Sequence, residues 1–209
     1  MSDLTLLVIA KEPVPGKVKT RLAPDVGAQG AADLAAACLA DTLVAVAAAP
    51  AARRVLVLDG EPGPWVPDGF EVVPQSGGGL ADRLAAAFAA VEGPAFLVGM
   101  DTPQLTPAML DVDLQRHDAV IGLAADGGFW GIGMRNPDPG VFAGVPMSTG
   151  QTGAVQRERL LAAGFSVGDL PVLTDVDTID DAHIVALACP GTRFAAVMTR
   201  VCRPPATHR

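Results

Sequence analysis

The chain reads as an α/β protein, with a mainly parallel sheet covered by helices on both faces. Three observations predict this. Short apolar runs such as Leu6–Ala10, Val55–Leu58, Ala95–Val98 and Ala119–Leu123 alternate with longer segments of helical period. The apolar runs end in loops rich in Gly and Pro that lead toward helices, which implies right-handed crossovers between parallel strands. Half of the residues are hydrophobic but only 4% are aromatic, so the core must be built from Ala, Val and Leu. Alanine-rich helices pack closely and lose little side-chain entropy on ordering.

Taken in order, Leu4–Ala10 is expected to be a buried strand and Gly27–Ala49 a helix with Leu39, Leu43 and Val46 on one stripe. Val55–Leu58 and Phe70–Val73 read as short strands either side of the turn-rich Gly60–Gly69 stretch. Leu80–Val91 reads as a helix entered through Gly77–Gly79, and Ala95–Gly99 as a strand. Pro107–Arg116 is expected to be a helix capped by Thr106, with Pro at its first position. Ala119–Leu123 is a further strand, and Phe129–Met134, after the Asp126-Gly127-Gly128 turn, is a candidate antiparallel one. Gly153–Ala163 and Asp180–Ala188 close the pattern as helices around a strand near Ser166–Asp169. A length of 209 residues suits one domain, here residues 1–189. Residues 190–209, with Pro204-Pro205, read as a peripheral tail.

Composition narrows the function. A net charge of −8 argues against a general nucleic-acid binder, which would carry a basic face. Cys38, Cys189 and Cys202 show no CxxC spacing and no clustering with His, so they read as structural thiols of a reducing compartment. No secretory leader pattern is visible and no run reads as a membrane span, so a cytoplasmic protein is expected. His117, His183 and His208 neighbour no Ser or Cys nucleophile and form no paired-His motif, which argues against a zinc enzyme or a catalytic triad. Walker and G-x-G-x-x-G motifs are absent.

Four segments carry chemistry. The loop after the first strand, Lys11-Glu12-Pro13-Val14-Pro15-Gly16-Lys17-Val18-Lys19-Thr20-Arg21, holds four of the fifteen Lys and Arg residues. If extended, it puts Lys17, Lys19 and Arg21 on one face, suited to a diphosphate or triphosphate, and Gly16 permits close backbone approach. On this reading Lys19 is an exposed loop charge, so Lys19→Glu should abolish nucleotide binding with little cost to the fold. A solvated basic loop is the competing reading. Next, Asp101 in Gly99-Met100-Asp101-Thr102-Pro103 follows the strand Ala95–Val98, the position where α/β sheets bind ligands and where a hard carboxylate can take Mg²⁺. Capping of the local turn is its alternative role. Thr174-Asp175-Val176-Asp177-Thr178 turns Asp175 and Asp177 to one side if extended, while Thr178 with Asp181 also forms a capping-box pattern. Finally, Asp126-Gly127-Gly128-Phe129-Trp130 offers a tight turn, a third carboxylate and two aromatics facing opposite ways, one toward the core and one toward a pocket.

Together these segments resemble the nucleotide-diphospho-sugar transferase (GT-A) superfamily, and most closely its bacterial DUF2064 family. The motifs are Ala10–Leu22, Gly99–Leu105, Asp126–Trp130 and Asp175–Thr178, and the resemblance covers roughly Leu4 to Leu187. The Lys19–Pro24 and Asp175–Thr178 runs are also similar to phospholactate guanylyltransferases. The chain departs from the family pattern at Ile179, Met147 and the Leu80–Arg83 run. The resemblance implies a three-layer α/β/α sandwich with a Rossmann-like mixed sheet, and Mg²⁺ (or Mn²⁺) held by Asp101 and Asp177. It further implies phosphates contacted by Lys11, Gly16, Lys17, Lys19 and Arg21, and an acceptor pocket at Phe129, Trp130, Ser148 and Thr149. Asp101, Asp126 and Lys19 are then the candidate catalytic residues. The expected partners are an NTP or NDP-sugar and a small acceptor, with no nucleic acid and no membrane. Nucleotidylyl transfer is the leading expectation, glycosyl transfer from an NDP-sugar the alternative, and nucleotide binding without turnover the third.

Overall fold

In the computed structural model, which describes residues 3–202, strands β1 (Thr5–Lys11), β2 (Arg53–Asp59), β3 (Glu71–Pro74), β4 (Ala95–Val98), β5 (Ala119–Ala124), β6 (Phe129–Met134) and β7 (Val167–Leu173) form one sheet. Their order is β3-β2-β1-β4-β6-β5-β7. β1 pairs in parallel with β2 and β4, β2 with β3, and β5 with β7. β6 is antiparallel to both neighbours, as its position after the tight Asp126–Gly128 turn led us to expect. All four residues of β4 are buried, as are Thr5 to Val8 of β1. Such continuous burial, apolar apart from Thr5, is the mark of strands covered on both faces.

Helix α1 (Ala23–Ala48) covers one face, where Leu39 and Leu43 pack with Leu6, Val8, Phe96 and Trp130. Helices α2 (Leu80–Ala89) and α4 (Thr152–Ala162) cover the other, where Leu84, Phe88 and Leu160 meet Leu7, Val55, Leu97 and Ile132. The result is three layers. The chain leaves β1 toward β2 and enters β4 from β3, so the crossovers diverge at the β1/β4 boundary and open a crevice at the carboxyl ends of those strands.

Three expectations are corrected. α1 begins at Ala23, but Gly27 at φ +75° breaks it, so the regular helix lies beyond Gly27. Only one turn, Pro107–Leu110 (α3), forms where Pro107–Arg116 was expected to be helical, and Thr106 makes no side-chain cap bond. The backbone is diverted there because Asp113 Oδ1 accepts from the Gln115 and Arg116 amides at 3.0 and 2.9 Å. Arg135 also captures the Leu114, Gln115 and His117 carbonyls. The segment after Pro190 is a packed helix, α6 (Arg193–Val201), up to the end of the described residues. Asp41 of α1 accepts from the Arg193 and Phe194 amides at 3.1 and 2.9 Å, and Phe194 and Met198 bury against Leu34, Cys38 and Val185. The rest of the expected tail, including Pro204-Pro205, lies outside the described residues. Separately, an 18-residue window of α1 is apolar enough to cross a membrane by length and composition. Most of that window is buried inside the fold, where its alanines contact the sheet.

Candidate functional site

A cleft of about 670 Å³ occupies the β1/β4 crevice, and all four segments singled out from the sequence reach it. The basic loop curls rather than extends. Gly16 (φ +79°) and Lys19 (φ +48°) turn the backbone, and Val18 and Leu22 anchor it in the core. Lys11, Lys17 and Arg21 are exposed around the cleft. Gly16 is not among the lining residues, and a Cβ there would meet nothing within 4 Å. Its positive φ is the backbone conformation that favours glycine at this turn.

Lys19 corrects the expectation of an exposed loop charge. Its side chain is only 4% exposed, and its ammonium contacts Asp101 Oδ1 and the Val176 carbonyl. Asp177 Oδ1 lies 3.8 Å from the same nitrogen, and Arg21 Nη1 lies 3.2 Å from Asp177 Oδ2. Burial alone would lower the Lys19 pKa, but the surrounding groups, chiefly the Asp101 carboxylate with Asp177 adding to it, together hold the group above its ordinary value. Lys19 is therefore an internal cation joining two half-exposed carboxylates. Below it, burial pushes the Cys38 thiol well up and keeps it neutral.

The fold places Asp177 beside Asp101 by tying two loops together. The Val176 amide donates to the Asp101 carbonyl at 3.0 Å, and Gln104 Nε2 donates to the Thr174 carbonyl at 2.8 Å. Val176 is fully buried while Asp175 and Asp177 both line the cleft, which is the alternation expected of an extended stretch. The Thr178–Asp181 capping box also forms, with Asp181 Oδ2 accepting from the Thr178 amide at 2.9 Å. Helix entry and cleft lining are thus compatible. Burial, reinforced by the Asp101 and Asp126 carboxylates, pushes Asp175 up to about 7, and its Oδ1 is buried with no hydrogen-bond partner.

On the β5–β6 side, Asp126 Oδ1 accepts from the Gly128 amide at 2.8 Å and shapes the turn. Phe129 and Trp130 face opposite ways. Phe129 lines the cleft, whereas the Trp130 ring, 2% exposed, sits T-shaped against Phe96 at 5.9 Å and donates to the Pro171 carbonyl at 2.9 Å. Trp130 touches the cleft as part of its floor. Ser148 (φ +59°) and Thr149 stand at the rim on a loop clamped to the Asp126–Gly128 turn, since the Gly153 amide donates to the Gly127 carbonyl at 2.8 Å. A Cβ on Gly127 (φ +89°) would lie 2.1 Å from the Gly150 carbonyl oxygen. Gly127→Ala is therefore expected to cost about 3 kcal/mol, from left-handed strain plus forced separation of the loops. Denaturant unfolding checks this, and an unchanged midpoint would show that the two loops separate freely.

Arg83, from the Leu80–Arg83 run where the chain departs from the family pattern, also lines the cleft, as does Gln75, to which no motif pointed. Gln75 Nε2 donates to the Ala10 and Val57 carbonyls at 2.6 and 3.2 Å. Arg83 Nη1 lies 3.3 Å from both Gln75 Oε1 and Asp59 Oδ2, and Nε donates to the Gly78 carbonyl at 3.1 Å. The available signal was positional: Gln75 follows β3, and Arg83 shares one face of α2 with Leu80 and Leu84.

The donor set fits a hard divalent cation that completes its shell with ligand oxygens. Asp101 and Asp177 already share one cation, the Lys19 ammonium. No group of three or more His, Cys, Asp or Glu side chains among the described residues is arranged to hold a metal alone. Two carboxylates plus phosphate oxygens and waters is the usual way Mg²⁺ is held.

Comparison with known proteins agrees with this architecture. Residues 30–149 match the family described as uncharacterized proteins conserved in bacteria (DUF2064). No curated protein matches the chain. The crystal structure of a candidate nucleotide-diphospho-sugar transferase from Desulfovibrio desulfuricans G20 superposes with a TM-score of 0.86 at 28% identity, covering 96% of this chain and 95% of that one. CMP:2-keto-3-deoxy-manno-octonic acid synthetase complexed with CTP gives 0.57 at 13% identity, covering 90% and 99%. The 2-C-methyl-D-erythritol 4-phosphate cytidylyltransferase of Thermus thermophilus gives 0.53 at 13%, covering 96% and 99%. The chain belongs to the DUF2064 family and has the α/β fold of the nucleotide-diphospho-sugar transferases.

Proposed function

We propose that this protein is a transferase that binds a nucleotide as its Mg²⁺ (or Mn²⁺) complex and passes the nucleotidyl group to a phosphorylated small acceptor. The observation that carries the reading is the Asp101–Asp177 pair, joined through Lys19 and ringed by the exposed cations Lys11, Lys17 and Arg21. Cations of this kind suit the phosphate tail of an NTP, and Asp101 and Asp177 would hold the metal against it. When bound, the metal would neutralise phosphate charge and polarise the α-phosphorus.

Within the chain, Lys19 holds the two carboxylates in position, while Lys17 and Arg21 stabilise the departing pyrophosphate. An oxygen of the acceptor phosphate attacks the α-phosphorus, the bond to the bridging oxygen of the β-phosphate breaks, and pyrophosphate leaves with the electron pair. The acceptor is already ionised, so positioning and charge stabilisation suffice and no general base is required. Phe129, Ser148 and Thr149, with Trp130 beneath, form the acceptor wall.

Asp126 favours a second reading. Its exposed carboxylate on the acceptor side suits removal of a proton from an acceptor hydroxyl during glycosyl transfer from an NDP-sugar. The two readings differ in products. Incubation with each NTP, Mg²⁺ and a panel of sugar and polyol phosphates should release pyrophosphate. Release of nucleoside diphosphate from NDP-sugars, without pyrophosphate from any NTP, would replace the first reading with the second. Metal-dependent nucleotide binding with neither product would leave a binding module.

A further inference from the structure

The cations at the centre of the cleft are suited to phosphates, but Arg83 is arranged differently. Its guanidinium sits on the β2–β3 side of the crevice, fixed by Gln75 at the end of β3, Asp59 at the end of β2 and the Gly78 carbonyl. Nε and Nη1 are engaged, whereas Nη2 has no hydrogen-bond partner among the described residues. The side chain is 27% exposed in the cleft. Because Asp59 already balances the charge, the free N–H groups select for a directional acceptor rather than for net negative charge. Gln75 in turn is anchored on the Ala10 and Val57 carbonyls, so the fork is oriented before any ligand arrives. Leu80 and Leu84 lie on the same helix face and line the cleft beside it, Leu80 with 43% of its surface exposed. Apolar side chains next to a pre-aimed pair of N–H donors match a flat heteroaromatic ring bearing a carbonyl on its edge.

This position is also where the other end of the ligand must go. The acceptor wall lies on the β5–β6 side and the phosphate-binding cations lie between, which directs the nucleoside toward β2 and β3. Resting on the nucleotide reading above, we infer that Arg83, positioned by Gln75 and Asp59, reads a ring carbonyl of the nucleobase. The cleft therefore prefers oxo-bases over adenine. Uracil, cytosine and guanine each present a ring carbonyl oxygen, and adenine presents none.

Calorimetric titration of the wild type with the Mg²⁺ complexes of UTP, CTP, GTP, ATP and pyrophosphate tests this directly. At least one oxo-base nucleotide should bind about 3- to 10-fold more tightly than ATP, the range expected for one hydrogen bond. Arg83→Met should erase that difference while leaving ATP and pyrophosphate within about twofold, a single weak contact's worth at most. Arg83→Lys keeps the charge beside Asp59 but loses the fork. It should erase the preference in the same way, and it covers the case in which the methionine variant fails to fold. Equal loss for ATP, pyrophosphate and the oxo-nucleotides would make Arg83 a phosphate contact and overturn the inference. So would a wild type that binds all four NTPs equally. If the wild type binds neither NTPs nor pyrophosphate, the nucleotide reading itself fails and this inference falls with it.

Discussion

Asp101→Asn is expected to lower turnover by roughly 10²–10³-fold, the usual effect of removing one preorganised charge-stabilising group from a phosphoryl or acyl transfer site. The fold should survive. The asparagine oxygen can still accept from the Lys19 ammonium, and Asp177 remains 3.8 Å away to balance its charge. The change in stability should stay within about 1 kcal/mol, because the Asp101 side chain is 41% exposed and its pairing is partly screened. Affinity for metal-free nucleotide should be close to wild type, since Lys11, Lys17 and Arg21 are untouched. The check is steady-state turnover beside calorimetric nucleotide binding in the presence of EDTA. Full turnover in this variant would return Asp101 to a turn-capping role.

Lys19 carries the second large effect, and it falls on stability as well as function. Replacing the buried ammonium by methionine removes its contacts to Asp101 and the Val176 carbonyl and leaves two carboxylates facing each other. A loss of about 2 kcal/mol is expected, a charged hydrogen bond discounted for the partial exposure of Asp101 and Asp177. In a chain of this size that lowers the Tm by roughly 4–8 °C. Lys19→Glu should be worse, since it adds a fourth carboxyl group to a pocket that already contains Asp101, Asp175 and Asp177. A Tm within about 1 °C of wild type for Lys19→Met, well short of the expected shift, would show the ammonium to be solvated.

The difference between those two residues shows what was legible in the sequence. Strand ends can be read from apolar runs, so Asp101 and the Asp175–Asp177 alternation were placed correctly by pattern alone. A lysine in a Pro/Gly loop reads as exposed, because nothing local shows that Val18 and Leu22 will pull the loop inward. The burial of Lys19 depends on carboxylates about 80 and 160 positions away in the chain, and distance of that kind leaves no periodic trace. Gln75, and the anchoring of Arg83 within the flagged Leu80–Arg83 run, were missed for the same reason: the partners sit on β1 and β2, joined only when the sheet forms. α3 failed to extend because Asp113 Oδ1 took the Gln115 and Arg116 amides that a longer helix would have bonded to its own carbonyls. α6 was hidden by neighbouring prolines, although Thr192 before an amphipathic Phe194–Met198 stripe was a usable signal.

In the proposed function, the crevice binds a nucleotide through a divalent metal held by Asp101 and Asp177. The most direct measurement is the thermal shift of the wild type with each NTP and common NDP-sugars, with and without Mg²⁺. A ligand that binds the native state raises apparent stability as RT ln(1 + [L]/Kd), so even modest affinity registers. At least one of these nucleotides should stabilise the protein, by an amount that grows on adding Mg²⁺ and loses that growth in Asp177→Ala. Stabilisation by none of them, or stabilisation indifferent to both Mg²⁺ and Asp177, would contradict the proposed function.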